Sequence, residues 1–219
     1  EALQEAVESR PEVDLEALRE QSKRYYANIL LPYSALVQKL LADIQGSGDQ
    51  VDMIAPDHGL IWRSSPGAVL KDYADWSAQK STDKVLVVFA TMWHSTQQMA
   101  AAVAEGAESA GVEVRLMDLE TFHRADVITD LLDAKAVIFG SSTLNNNLLP
   151  VMADVLTYVK GLRPQGKIGA AFGSYGWGGE AVRQITTTME EMGIELVAPG
   201  LRVNYVPRPE DLDRCRELG

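Results

Sequence analysis

From Lys84 onward, short apolar runs rich in β-branched residues alternate with longer stretches of helical periodicity, the mark of a parallel sheet with crossover helices. The runs predict strands at 85–89, 112–117, 136–140 and 168–172. A fifth is expected at 194–197, interrupted by Pro199 and Gly200 and resuming at 201–203. Helices are expected between them at about 96–110, 123–132, 150–160 and 179–192, and a last one starts after Pro209 and is cut off at Gly219. Gly111 and Gly193 each follow a helix, where left-handed backbone costs a glycine little. Five βα units of this length predict an α/β fold with a doubly wound, five-stranded parallel sheet, which holds ligands outside the carboxyl ends of its strands. Chemistry is therefore to be sought in loops 91–96, 141–149 and 173–178.

The first 83 residues follow no such alternation. A helix is expected from Leu15 to about Ile44, broken or kinked at Pro32, then one strand at 51–54 and a short helix at 66–76. A lone strand leaves both edges unpaired, so the rest of its sheet is expected upstream of the chain. The domain reading is thus an incomplete domain at 1–65, a connector at 66–83 and a complete α/β domain at 84–219 whose last helix is truncated. The acidic stretch 1–20 reads as a solvated helix face.

Composition removes several classes of function. Over 219 residues the hydrophobic share of 46% and charged share of 23% are those of an ordinary folded chain. The net charge is −11, with acids exceeding bases in both halves, so nucleic acid and anionic membrane surfaces, which demand clustered Lys or Arg, are poor partners. Cys215 is the single cysteine, which excludes an internal disulfide and any cysteine-held zinc or iron–sulfur centre and suggests a cytoplasmic protein. No apolar stretch approaches the roughly 18 residues a membrane span needs, and the first residues are acidic rather than a basic signal start.

The first loop, Thr91-Met92-Trp93-His94-Ser95-Thr96, joins a strand to a helix and offers hydroxyls beside the free N–H groups of a helix start. That combination suits a phosphate monoester without a lysine; a plain capping cluster is the alternative. Neither G-x-x-x-x-G-K-[ST] nor G-x-G-x-x-G is present, which argues against a nucleoside triphosphate or a dinucleotide. The second loop, Ser141-Ser142-Thr143-Leu144-Asn145-Asn146-Asn147, carries amides suited to a pyrimidine edge, although Asn runs also make turns. The third, Gly173-Ser174-Tyr175-Gly176-Trp177-Gly178-Gly179, sets two aromatics among glycines. Tyr175 or Trp177 could stack on a ring, or Trp177 could be a buried structural residue.

Together T-M-W-H-S-T, S-S-T-L-N-N-N and F-G-S-Y-G-W-G-G resemble the three FMN loops of flavodiiron proteins, or A-type flavoproteins. The resemblance implies a flavodoxin-like strand order of 2-1-3-4-5, with the FMN phosphate on 91–96 and the isoalloxazine ring between Ser142–Asn147 and Ser174–Gly178. His94 stands where such phosphate loops usually have Gly. His tolerates left-handed backbone better than most residues, so a backbone contact is expected of it.

The run from Tyr25 to Pro32 and the run Ile54-Ala55-Pro56-Asp57-His58-Gly59-Leu60-Ile61-Trp62-Arg63 resemble the closing section of that family's metallo-β-lactamase-like (αββα) domain. By the same resemblance His58 would ligate iron in a di-iron centre; taken alone, a single His after a strand is more often structural. The family's H-x-E-x-D-H run is absent, and the chain has only His58, His94 and His123, so it cannot complete such a centre by itself. His123 is expected at the surface and Cys215 as a packing residue. The implied function is electron transfer from a donor such as rubredoxin, through FMN, to a di-iron site that reduces dioxygen, nitric oxide or both, in a head-to-tail homodimer. A stand-alone flavodoxin-like electron carrier is the alternative, and a module that has lost FMN a third reading.

Overall fold

The computed structural model describes residues 13–219, and its contacts divide the chain into two units between Lys80 and Ser81. Residues 1–12, most of the acidic stretch read as a solvated helix face, lie outside the described residues. No helix among the described residues is long and apolar enough to cross a membrane.

In the first unit, α1 (Leu15–Tyr25) starts at Asp14, whose carboxylate accepts the Glu16 and Ala17 N–H groups at 3.0 and 3.1 Å. A π turn (Tyr26–Leu30) and a 3-10 turn (Leu31–Tyr33) then lead into α2 (Ser34–Ser47). Pro32 accounts for the detour: it offers no N–H to the Asn28 carbonyl, and its ring crowds that oxygen and opens the preceding turn. Next comes α3 (Pro66–Ser77), whose Tyr73 and Trp76 pack on the fully buried Tyr26 at centroid distances of 5.3 and 5.7 Å. Its Asp72 receives a bidentate pair from Arg19, with Nε–Oδ2 at 2.6 Å. The short helix expected at 66–76 is thus present, and Val69, Tyr73 and Trp76 give it an apolar stripe to bury. The strand expected at 51–54 is also absent. Only Ile54 pairs, in one antiparallel bridge with Trp62 (N···O 2.9 and 2.8 Å), since no second strand lies beside 51–53 to extend it.

The second unit runs β1 (Thr82–Ala90), α4 (Ser95–Ser109), β2 (Glu113–Asp118), α5 (Arg124–Leu131), β3 (Ala134–Ser141), the short strands β4 (Thr143–Leu144) and β5 (Asn147–Leu148), and α6 (Pro150–Leu162). It continues through β6 (Ile168–Tyr175), α7 (Glu180–Glu191), β7 (Glu195–Leu196), β8 (Leu201–Asn204) and α8 (Pro209–Leu218). The main sheet is parallel, in the order β2-β1-β3-β6-β7, with β8 also on β6. Strand five is split as expected. Its first piece pairs with Ile168 and Gly169 and its second with the far end of β6, the Pro199-Gly200 step lying between. The hairpin β4–β5 was not anticipated.

One face of the sheet buries Val87, Phe89, Ile138 and Phe172 against Met99 and Val103 of α4 and Cys215 of α8. Alanines at 100, 102 and 104 let α4 approach closely. Burial pushes the Cys215 thiol up to about 11, so it packs as a neutral group, as expected of it.

At the amino ends of the strands, opposite the three loops, Lys84 pairs with Asp130 and Asp133, and the buried Lys167 donates to the Leu132 and Ala134 carbonyls at 3.0 and 2.8 Å. Burial pulls the Lys167 ammonium down to about 8 from its ordinary 10.5. Between those values the unfolded chain holds a proton that the folded chain has lost, so this group's contribution to stability rises with pH from about 8 to about 10.5 and is lost on the way back down. The stability of the wild type relative to Lys167→Met is expected to grow by about 2 kcal/mol across that window in urea titrations. A flat difference would show that the amine does not titrate there.

Candidate cofactor site

At the carboxyl ends of the strands, the three loops border one cleft of about 670 Å³, a size typical of small-molecule sites. In the first loop Met92, Trp93 and Ser95 line it. His94 closes that loop in the left-handed region, φ 64° and ψ −1°, and starts α4, its Nδ1 2.8 Å from Gln97 Oε1. The N–H groups of Ser95 and Thr96 fall in the first turn of α4, where a helix offers them no acceptor of its own. Thr91 Oγ1 is buried without a hydrogen-bond partner. An orphaned hydroxyl and first-turn amides without a helix acceptor, of which that of Ser95 lies on the cleft itself, fit an anion carrying several acceptor oxygens.

Thr96 sits differently from the phosphate contact expected of its hydroxyl. It is 0% exposed, and Oγ1 lies 2.9 Å from both Ser142 Oγ and Ser174 Oγ, which are themselves 3.3 Å apart. This buried triangle of hydroxyls ties the three loops together.

In the second loop Ser142, Thr143, Leu144, Asn145 and Asn146 line the cleft. Asn145 and Asn146 both have positive φ, 50° and 60°, and form the two-residue turn between β4 and β5. Two left-handed residues in sequence match the twist of a hairpin, and Asn adopts that conformation readily. The turn reading of the Asn run thus holds for the backbone, while the same residues also line the cleft. Asn147 does not line it: its side chain donates to Asn145 O at 2.8 Å and accepts from Gln184 Nε2 at 2.9 Å.

In the third loop Ser174, Tyr175, Gly176, Trp177 and Gly178 all line the cleft. Trp177 is 97% exposed and Trp93 83%, so neither ring is spent on the core and both are available to cover a bound molecule. Gly178 leaves room for the Glu180 carboxylate beneath the loop, since a Cβ there would stand 2.3 Å from Oε1.

Tyr205 and Val206, which follow β8 and also line the cleft, were not foreseen. Their signal was the position itself, since the loop after the last strand leaves the sheet at the same carboxyl end as the other three. Asn204 braces the third loop from β8, donating to Tyr175 O at 3.2 Å and Gly176 O at 2.8 Å.

The remaining histidines do other things. His123 caps α5, its ring accepting the Ala125 N–H at 3.3 Å while Asp126 accepts the His123 N–H at 2.9 Å. In the first unit, His58 is exposed in the turn after Ile54, 5.7 Å from the Tyr25 ring, on an apolar groove of about 730 Å³. Among the described residues no group of three or more His, Cys, Asp or Glu could hold a metal ion. A di-iron centre therefore does not fit the ligands of this chain taken alone.

The flavodoxin family profile matches residues 87–219. The chain is 45% identical over 209 residues to a nitric oxide reductase of Moorella thermoacetica, covering 95% of this chain and 52% of that protein. Among solved structures it is similar to the rubredoxin oxygen:oxidoreductase of Desulfovibrio gigas, with 37% identity and a TM-score of 0.90 over 94% of this chain and 52% of that one. The flavodiiron protein of Giardia intestinalis gives 32% identity and a TM-score of 0.89, over 96% of this chain and 53% of that one. The chain thus spans about half the length of the relatives it matches. Through residues 87–219 it belongs to the flavodoxin family, and over nearly all of its length it is a homologue of the flavodiiron proteins.

Proposed function

We propose that this chain is the flavin-bearing part of a flavodiiron reductase, in which the cleft at the carboxyl ends of the sheet passes electrons toward a di-iron site that reduces dioxygen, nitric oxide or both. A flavodoxin domain carries FMN, so FMN is the cofactor of residues 87–219. Which residues hold it is our assignment, and one observation carries it: three loops separated in sequence border a single cleft whose size suits a small molecule.

In this reading the phosphate rests on 91–96, on the first-turn amides of α4 with the Thr91 hydroxyl, and the ring lies between Ser142–Asn146 and Ser174–Gly178. When bound, FMN supplies electron-transfer chemistry. The chain's own part is to hold and orient it: Leu144, Met92 and Val206 offer apolar wall, and the exposed rings of Trp93 and Trp177 stand ready to cover it. The first loop carries no Lys or Arg, so the phosphate would be held by dipoles and hydroxyls.

A rubredoxin-like electron donor is part of the same reading, supported by the name of the D. gigas relative. So are a head-to-tail homodimer, His58 as one iron ligand among others supplied by the longer protein, and a cytoplasmic location. A stand-alone flavodoxin-like electron carrier without its own metal site is the alternative.

Titrating the apoprotein with FMN is expected to give a yellow one-to-one complex. A protein that stays colourless at saturating FMN would overturn the assignment. Metal analysis and gas-consumption assays on the full-length gene product test the reductase reading, which fails if that product lacks His and carboxylate ligands upstream of His58.

A further inference from the structure

Gln184 lies on α7, outside the three loops, and yet its side chain meets the second loop three times. Its Oε1 accepts the Leu148 N–H at 3.0 Å. Its Nε2 donates to Asn147 Oδ1 at 2.9 Å and to Asn146 O at 3.3 Å. Asn147 passes the restraint on, donating to Asn145 O at 2.8 Å. A two-residue hairpin is marginal by itself, and β4 and β5 pair only with each other, through Thr143–Leu148 and Leu144–Asn147. The anchor for this lip of the cleft is thus a helix that is itself held by its buried residues Ala181, Val182, Ile185 and Met189.

We infer that Gln184 is a positioning residue for the cofactor: it clamps the 143–148 hairpin so that Asn145 and Asn146 present a fixed wall to the ring. Gln184 does not line the cleft, so it acts through the hairpin alone. Its neighbour one turn earlier on the same helix face, Glu180, underlies Gly178 of the third loop. The helix therefore sets the spacing between the second and third loops. A side-chain amide makes all three bonds at once, because one of its atoms accepts the Leu148 N–H while the other donates to the Asn146 and Asn147 oxygens. A glutamate would keep the Leu148 bond and face the Asn146 and Asn147 oxygens with negative charge. A methionine would fill the volume and make none of the three bonds.

The inference rests on the FMN reading, and its test separates the two. FMN dissociation constants, apoprotein melting temperatures and Leu148 amide exchange are to be compared for wild type, Gln184→Met, Gln184→Glu and, as a control, Thr187→Ala, an exposed residue on the same helix. Expected is FMN binding about tenfold weaker in Gln184→Met, the loss to be anticipated when the binding-competent hairpin is populated about one-tenth of the time. Leu148 exchange should be faster in this variant, and the visible spectrum of flavin bound at saturation should change. Gln184→Glu should retain Leu148 protection and still bind FMN less tightly than wild type, while Thr187→Ala should match wild type throughout. Unchanged FMN affinity and flavin spectrum in Gln184→Met overturn the inference and leave the FMN reading standing. A lowered melting temperature with unchanged affinity reduces Gln184 to a stability role and overturns it equally. Wild-type protein that takes up no FMN overturns both.

Discussion

Gly173→Ala is expected to abolish tight FMN binding and to destabilise the second unit by about 3 kcal/mol or more, at the upper end of what overpacking a core costs. A Cβ at this position would lie 2.2 Å from the Ser141 carbonyl oxygen and 3.1 Å from Val182 Cγ2. The first of these neighbours is backbone and cannot rotate away, so β3 and β6 must separate. They would separate at the point where the second and third loops leave them, and the cleft walls would move with the strands. Gly161→Ala is the matched control. That glycine is exposed near the end of α6, with nothing within 4 Å of the place an added methyl group would occupy, and the substitution is expected to stabilise the helix by up to about 1 kcal/mol. Urea unfolding and FMN titration of the two variants check both signs. A Gly173→Ala protein with wild-type stability and affinity would mean that the strands are not held this closely.

Thr96→Val is expected to cost about 2 kcal/mol of apoprotein stability and to weaken FMN binding about tenfold. Valine keeps the volume and the branching, so the loss isolates the hydroxyl. Ser142 and Ser174 would be left buried with only their mutual 3.3 Å contact, and an under-satisfied buried hydroxyl costs about 1–3 kcal/mol. Thr96→Ser, which retains the oxygen, should recover most of both effects. The comparison also separates two roles for one side chain. If Thr96 met the phosphate directly, the valine variant would lose affinity while the apoprotein melted as wild type. Loss of both together is the mark of a hub that holds the loops.

The parallel sheet was legible because β-branched runs and helical periodicity differ in kind, and the break in strand five was legible because Pro199 and Gly200 stand in the middle of an apolar run. Loops 91–96, 141–149 and 173–178 could be located for the same reason, since the ends of strands fix where they begin. What each side chain does there was less visible. Thr96 and Ser95 are adjacent and chemically alike, and only the rotation of α4 turns one into the interior and the other toward the cleft. Asn147 looks like its two neighbours in sequence but spends its amide on Gln184, 37 positions away. Tyr205 was overlooked because its segment carries no glycine or hydroxyl cluster to mark it. In the first unit, the strand at 51–54 failed for a different cause: strand propensity in one segment cannot supply the partner strand that a ladder requires.

The hydroxyl triangle also bears on the order of events in the life of the chain. Its members are brought together across separations of 46 and 78 residues: the bond to Ser142 needs β1 and β3 side by side, and the bond to Ser174 needs β6 in place as well. Such long-range closures come late, after the entropy of the intervening chain has been lost. A cofactor arriving early would therefore find no receptor. Loading should follow completion of the sheet, and newly made protein starved of flavin should wait as a folded, empty acceptor rather than as an unfinished chain.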